Sequence, residues 1–94
     1  MTHLMIRHKV KDYEAWKTAF DNFASVRKAN GEKSYMIMRS EDDAENLHLF
    51  FEWDTQENAQ KFLRSPELKQ AMQKAGVAEA PEIRFLNEAG RGKL

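Results

Sequence analysis

Apolar positions in the first third of the chain recur first with the period of a strand and then with the period of a helix. Alternate apolar positions predict a strand over residues 2–10, in which His8 lies on the apolar face. Asp12 follows as a candidate N-cap, and Gly31 is expected to end the helix in a left-handed conformation. Between them, four large side chains spaced three, four and three residues apart predict one helical stripe: Tyr13, Trp16, Phe20 and Phe23.

Two apolar segments flank a short acidic stretch in the middle of the chain. Residues 33–40 and 47–53 are rich in aromatic and aliphatic side chains, and both segments predict strands. The polar residues 41–46 between them predict a solvated turn. The middle of the chain is therefore expected to form a β-hairpin.

The last third of the chain predicts a second helix in two parts, followed by a final strand. Thr55 is a candidate N-cap for the first part. Ser65-Pro66 restarts the helix, because serine caps a helix well and proline suits its first turn. Gly76 is expected to end the helix, and residues 82–86 predict the last strand.

The order of these elements indicates the fold class. A βαββαβ order predicts an α+β, ferredoxin-like fold with a four-stranded antiparallel sheet. We expect one domain over residues 1–88 and a flexible C-terminal tail over residues 89–94, where glycine and basic residues replace the apolar pattern.

Both faces of this sheet carry large apolar side chains, although two helices can cover only one of them. The strands alternate poorly between apolar and polar residues, and a second apolar set opposes the core: Met5, Met36, Met38 and Phe50. Exposed apolar patches of this extent usually mark an interface. We therefore expect a homodimer in which two sheets pair face to face as a dimeric α+β barrel.

Composition and charge exclude several classes of function. The 94 residues are 41% hydrophobic and 32% charged, and 15 basic side chains balance 15 acidic ones. This balance argues against nucleic acid and against an anionic membrane surface as partners. The absence of cysteine excludes disulfides and thiol catalysis. No apolar stretch is long enough to span a membrane, and no signal-peptide pattern opens the chain. A chain without cysteine suits a reducing compartment, so we expect a cytoplasmic protein.

Several segments of the chain resemble the dimeric α+β barrel superfamily. The segments that carry the resemblance are Arg7-His8-Lys9-Val10-Lys11-Asp12-Tyr13, Glu52-Trp53-Asp54, Ser65-Pro66-Glu67-Leu68 and Ala75-Gly76-Val77. Within the superfamily the chain is most similar to antibiotic-biosynthesis-monooxygenase-like (ABM-like) proteins of a cyclase-like branch. The resemblance extends nearly to Glu88 and is specific for the fold rather than for one reaction.

This resemblance implies a homodimer with a mostly apolar cavity between the sheet and the helices. Enzymes of this kind oxidise polycyclic aromatic or quinol compounds with dioxygen, without metal or flavin, so no cofactor is expected. A related branch degrades haem with an axial histidine on the second helix. This chain has Ala71-Met72 at that place, and its histidines lie in predicted strands. Because haem iron needs its axial ligand, haem degradation is not expected.

His8 is the candidate catalytic residue. An imidazole titrates near neutral pH, and it could act as a base or hydrogen-bond partner for a phenolic substrate; the alternative is a packed histidine bonded to a carbonyl group or to solvent. Four further residues are candidates for binding the substrate: Trp53, His48, Arg7 and Arg39. The indole could stack on a flat ligand, and the guanidinium groups could hold a carboxylate or a phenolate. Core packing and salt bridges are the alternatives for these four.

The sequence leaves the faces of the predicted strands open. Hydrophobicity turns the third strand's apolar side toward the helices, whereas the resemblance places Trp53 at the cavity, and a local bulge could reconcile the two. His8 and His48 could meet if the first and third strands pair in a suitable register. A metal site is not expected, because His48 and Glu52 lie about 13 Å apart along one strand.

Two functional interpretations follow. The first is a cofactor-independent, monooxygenase-like or cyclase-like enzyme that acts on a small aromatic or polyketide-like compound in the lumen between two sheets. The second is a non-catalytic homodimeric module that binds a small hydrophobic ligand. An open cavity of about 300 Å³ or more, in which His8 and an arginine converge, favours the first interpretation, whereas a sealed lumen filled by Met36, Met38 and Phe50 favours the second.

Overall fold

The computed structural model describes residues 1–77 and 80–94. These residues form four strands and four helices, which confirms the predicted βαββαβ order with each helical region in two segments: β1 (Thr2–Lys9), α1 (Tyr13–Asn22), α2 (Ala24–Asn30), β2 (Glu32–Ser40), β3 (Asp43–Trp53), α3 (Gln56–Leu63), α4 (Pro66–Lys74) and β4 (Glu82–Leu86). The chain is an α+β protein with a ferredoxin-like arrangement. The segment after Leu86 continues without helix or strand.

The side chains predicted as helix caps make the expected hydrogen bonds. The Asp12 carboxylate accepts from the backbone N–H of Glu14 at 3.0 Å. Thr55 Oγ1 accepts from the N–H of Asn58 at 3.1 Å, and Ser65 Oγ accepts from the N–H of Leu68 at 3.2 Å. Each bond satisfies a backbone donor that the first helical turn leaves without an intrahelical partner. The break between α1 and α2 at Phe23 was not predicted.

The sheet is fully antiparallel, with the strand order β2-β3-β1-β4. The predicted hairpin of β2 and β3 is confirmed, but the predicted turn over residues 41–46 is too long. β3 already begins at Asp43, which pairs with Ser40, and Asn46 pairs with Lys9 of β1. The polar side chains of residues 43–46 suggested a loop, yet their backbone groups complete hydrogen-bond ladders to strands on both sides.

The helices cover one face of the sheet and leave the other face open in the single chain. The covered face forms the core, to which the strands and helices contribute these buried side chains: Leu4, Val10, Trp16, Leu47, Leu49, Phe51, Trp53, Ala59, Phe62 and Ala75. On the open face, Met36 is 53% exposed and Phe50 is 40% exposed. Throughout the described residues, no helix has the length and apolar character that a membrane crossing needs.

Gly31 is the tightest turn position next to the core, and a side chain there is expected to destabilise the protein. Its φ is +121°, and an added Cβ would collide with the carboxylate of Asp54. We expect Gly31→Ala to lower the free energy of unfolding by about 2 kcal/mol, measured by urea denaturation. Gly90→Ala is the control, since nothing lies within 4 Å of its added Cβ. Equal stability of the two variants would contradict this account.

Candidate functional site

A cavity of about 270 Å³ lies between the sheet and the helices. β1, β3 and β4 form its floor, α1 and α2 line one side, and α3 and α4 line the other. Its lining is almost entirely apolar, apart from four polar or charged side chains in the part of the chain that the structure describes: His8, Arg27, Glu32 and Lys69. An apolar pocket with a few polar groups is the usual form of a small-molecule site.

His8 projects from β1 into this cavity and is only 5% exposed. Its ring and that of Trp16 make a T-shaped contact, with 5.8 Å between the ring centroids and 81° between the ring planes. Within residues 1–77 and 80–94, neither Nδ1 nor Nε2 has a hydrogen-bond partner. His8 is therefore not hydrogen-bonded to a carbonyl group of the described residues.

Burial lowers the pKa of His8 to about 4, and the nearby positive charge of Arg7 contributes to this shift. The imidazole is consequently neutral at pH 7, with one N–H donor and one acceptor lone pair. Buried polar groups without a partner cost free energy, and native proteins rarely contain them without a reason. A ligand hydroxyl or carbonyl oxygen would accept from the N–H, and the lone pair needs a donor such as a ligand hydroxyl.

Trp53 is the second buried side chain with an unpaired polar atom in this cavity. The residue is 1% exposed, its ring packs on Phe62 with 5.2 Å between centroids, and its Nε1–H has no acceptor among the described residues. Trp53 lies on the helix-facing side of β3 and also borders the cavity. The argument from hydrophobicity and the argument from the resemblance therefore give the same position for Trp53. No bulge in β3 is needed to reconcile them, because the pairing of β3 with β1 runs unbroken from Leu47 to Trp53.

Arg27 and Glu32 form a buried ion pair at the Trp53 end of the cavity. Arg27 Nε lies 3.0 Å from Glu32 Oε2, with side-chain exposures of 7% and 9%. The guanidinium also donates to the carbonyl oxygen of Phe20 and stacks on the Phe20 ring, 3.6 Å from its centroid. Burial raises the pKa of Glu32, and its hydrogen bonds with Arg27 oppose that rise.

The sequence analysis missed this ion pair, although one signal for it was present. Arg27 follows Phe23 by four residues, so it continues the apolar helical stripe that faces the sheet. Glu32 gave no such signal, because its inward direction depends on a β-bulge in β2. The register with β3 shifts between Glu32 and Ser34, which pairs Glu32 with Trp53 and places it on the cavity side.

The sequence over residues 1–74 matches the family model for antibiotic biosynthesis monooxygenase. This chain belongs to that family. Among curated proteins, none matches the sequence. The family's fold is the one described above, and the cavity lies between its sheet and its helices, as the resemblance implied.

Solved structures show the same fold. The cofactor-independent oxygenase SnoaB from Streptomyces nogalater is 14% identical, with a TM-score of 0.75, and the match covers 99% of this chain and 95% of that one. A conserved protein from Methanosarcina mazei is 14% identical, with a TM-score of 0.72 and coverages of 93% and 91%. Rv0793 from Mycobacterium tuberculosis is 15% identical, with a TM-score of 0.68 and coverages of 98% and 98%.

In this family member, Arg7 and His48 lie on the open face of the sheet, opposite the cavity. They are Cα partners of each other, whereas His8 pairs with Leu47, so the two histidines do not meet. Arg7 Nη1 donates to Asn46 Oδ1 at 3.1 Å, and His48 Nε2 lies 3.0 Å from Ser40 Oγ. The register therefore separates these two candidates from His8 and Trp53.

Arg39 lies on the edge strand β2, away from the described lining of the cavity. Its Nε donates to the carbonyl oxygen of Ala44 at 2.8 Å, and its guanidinium lies over the ring of Tyr13, 3.9 Å from the centroid. Among the residues described by the structure, no group of three or more histidine, aspartate or glutamate side chains is arranged to hold a metal ion.

Proposed function

We propose that this protein is a cofactor-independent oxygenase that acts on a small, flat aromatic compound bound between the sheet and the helices. The observation that carries the proposal is the neutral, buried His8 with both ring nitrogens unpaired at the wall of an apolar cavity. Membership of the antibiotic biosynthesis monooxygenase family supports the reaction class. The proposed site differs from the expected lumen between two sheets, because His8 faces the helices of its own chain.

The proposed role of His8 is to accept a proton from the substrate as a stabilised anion forms. A charged imidazolium alone is disfavoured here by burial, but an anion formed next to it compensates its charge. The anion, for instance that of a benzylic methylene next to an aromatic ketone, passes one electron to dioxygen, and the resulting pair forms a C–O bond. Return of the proton gives a hydroperoxide, and loss of water leaves a ketone. In sum, one methylene group and one dioxygen molecule give one ketone group and one water molecule.

Trp53 is proposed to hold the substrate in the cavity through its indole N–H and its ring face. A buried donor without an acceptor gains a full hydrogen bond when a ligand oxygen reaches it. The apolar lining excludes water, which strengthens such bonds and protects a reactive anion. The binding energy then serves to hold the reacting carbon near His8.

Oxygen consumption with anthrone-type ketones and hydroquinones tests this function. We expect enzyme-dependent oxygen uptake, and, for a substrate with a reactive methylene, one atom of labelled dioxygen in the ketone product. The measurement uses protein treated with a chelator, so that trace metal does not contribute. Tight binding of these compounds with no uptake above the background would instead support the non-catalytic binding module.

We also propose that the open sheet face pairs with a second copy of this chain. The face carries Met36, Met38 and Phe50, each 40% or more exposed in the single chain. Each such side chain contributes about 1.5–3 kcal/mol when it is fully buried, and a two-fold interface brings every one of them in twice. This apolar set extends across three of the four strands, from β1 through β3 to the edge strand β2, with Met5, Phe50 and Met36 side by side.

Phe50→Glu is expected to weaken this dimer. A carboxylate buried in an apolar interface has no partner, so we expect the dissociation constant to rise at least about tenfold, as measured by sedimentation equilibrium. Val26→Glu is the matched control, because Val26 is exposed on α2, outside the sheet face. A wild-type protein that is monomeric at micromolar concentration would contradict the pairing.

A further inference from the structure

The cavity has a polar end opposite His8, and an aromatic wall joins the two. The ring centroid of Trp16 lies 5.8 Å from that of His8 and 4.9 Å from that of Phe20, on which it stacks. The guanidinium carbon of Arg27 lies 3.6 Å from the Phe20 centroid. Together these contacts put Arg27 within about 14 Å of the imidazole. A hydrogen bond spans about 3 Å between heavy atoms. A bicyclic aromatic compound with an oxygen at each end therefore has the length to hydrogen-bond at both ends.

Arg27 keeps donors available at this end. It donates through Nε to Glu32 and through Nη1 to the carbonyl oxygen of Phe20, while Nη2 has no partner within residues 1–77 and 80–94. A guanidinium carries five N–H donors, so several remain for a ligand oxygen. The unpaired Nε1–H of Trp53 borders the same cavity, and Trp53 is the cross-strand partner of Glu32.

Glu32 compensates the positive charge of Arg27 at this end of the cavity. Its carboxylate neutralises Arg27, so the pair presents hydrogen-bond donors without a net positive charge. A ligand carboxylate here would meet the like charge of Glu32 in an apolar, poorly solvated space, where such repulsion is strong. A hydroxyl or ketone oxygen would accept from Arg27 or Trp53 without that repulsion, and a hydroxyl could also donate to Glu32.

We propose that Glu32, which the bulge in β2 turns inward, is a specificity-determining residue. It makes the cavity select aromatic substrates that meet His8 at one end and carry an uncharged oxygen at the other end. Carboxylated analogues are excluded by the same residue. This inference rests on the proposal that the cavity binds an aromatic substrate, but it concerns binding alone and requires no turnover.

Three naphthalene probes test the selectivity, measured by anaerobic fluorescence titration at pH 7. 2-Naphthol has one hydroxyl, 2,6-dihydroxynaphthalene adds an uncharged oxygen at the far end, and 6-hydroxy-2-naphthoate adds a carboxylate there. We expect the dihydroxy compound to bind wild-type protein about fivefold more tightly than 2-naphthol and about tenfold more tightly than the carboxylate. Equal or tighter binding of the carboxylate would overturn the inference.

Glu32→Gln is expected to remove the discrimination against the carboxylate. The amide keeps the size of the side chain but leaves the charge of Arg27 uncompensated, so the affinity for 6-hydroxy-2-naphthoate should rise at least about tenfold, since charge-assisted hydrogen bonds are the stronger ones. The affinity for 2-naphthol should change little. Glu57→Gln is the control: it makes the same change in an exposed ion pair with Lys61, outside the cavity. An equal gain with this control, or no gain with Glu32→Gln, would overturn the assignment.

A second variant keeps the test decisive if Glu32→Gln does not fold. Replacing both partners with apolar residues, as in Arg27→Met with Glu32→Met, avoids an unpaired buried charge. We expect this double variant to lose most of the preference for 2,6-dihydroxynaphthalene over 2-naphthol, because both charged groups of the polar end are gone and only the Trp53 N–H of the groups named above remains. A retained fivefold preference would overturn the inference. Absence of oxygen uptake with intact probe selectivity would refute the proposed reaction and leave the binding site standing.

Discussion

Replacing His8 with phenylalanine is expected to lower kcat for oxygen uptake by two to four orders of magnitude, the range that general acid–base catalysis contributes. Phenylalanine keeps an aromatic edge against Trp16 and removes both unpaired nitrogens. The fold should therefore remain intact, since no hydrogen bond from the imidazole is lost among the described residues. KM should change less than kcat, because proton transfer rather than apolar contact is removed.

The pH dependence of the wild-type enzyme provides an independent check on the same residue. Burial holds the pKa of His8 at about 4, so the free enzyme keeps a neutral imidazole across the physiological range. We expect any acid limb of kcat/KM that arises from His8 to fall near pH 4 rather than near 6.5.

The control for His8→Phe is His3→Gln, which changes a histidine on the open face of the sheet. Equal rates in His8→Phe and wild-type protein would remove His8 from the mechanism.

Local signals in the sequence predicted the element boundaries best. Asp12, Thr55 and Ser65 cap their helices through bonds to residues two or three positions away, so neighbouring residues contain the whole cause. The start of β3 depends instead on pairing with β1 and β2. Asp43 looks like a turn residue when it is considered alone, and only the register reveals that it belongs to a strand.

The sequence predicted only part of the candidate site, because some of its side chains are oriented by local alternation and others by the pairing of strands. His8 follows from strand alternation, because it shares a face with Leu4 and Ile6. The same alternation places Arg7 on the opposite face, so this candidate could have been separated from His8 without a structure. Glu32 was beyond reach, since its direction is set by a bulge that forms only when β2 pairs with β3.

The buried imidazole also predicts how stability depends on pH. The pKa of His8 falls from 6.5 in the ordinary environment to about 4 in the folded protein, chiefly through burial and then through the charge of Arg7. Between these values the unfolded chain binds more protons at this residue than the folded chain does. The free energy of unfolding contributed by neutral His8 is therefore fully present above pH 6.5 and is lost as the pH falls toward 4.

We expect wild-type protein to lose about 2 kcal/mol of stability between pH 7 and pH 5, and about 3 kcal/mol by pH 4, through this residue. Urea denaturation of wild-type and His8→Phe protein across this range isolates the contribution, because the other titrating groups are common to both. Glu32 acts in the opposite direction, since burial raises the pKa of its carboxyl. Parallel pH profiles for the two proteins would show that the imidazole is not buried in its neutral form, and the proposed role of His8 would then lose its physical basis.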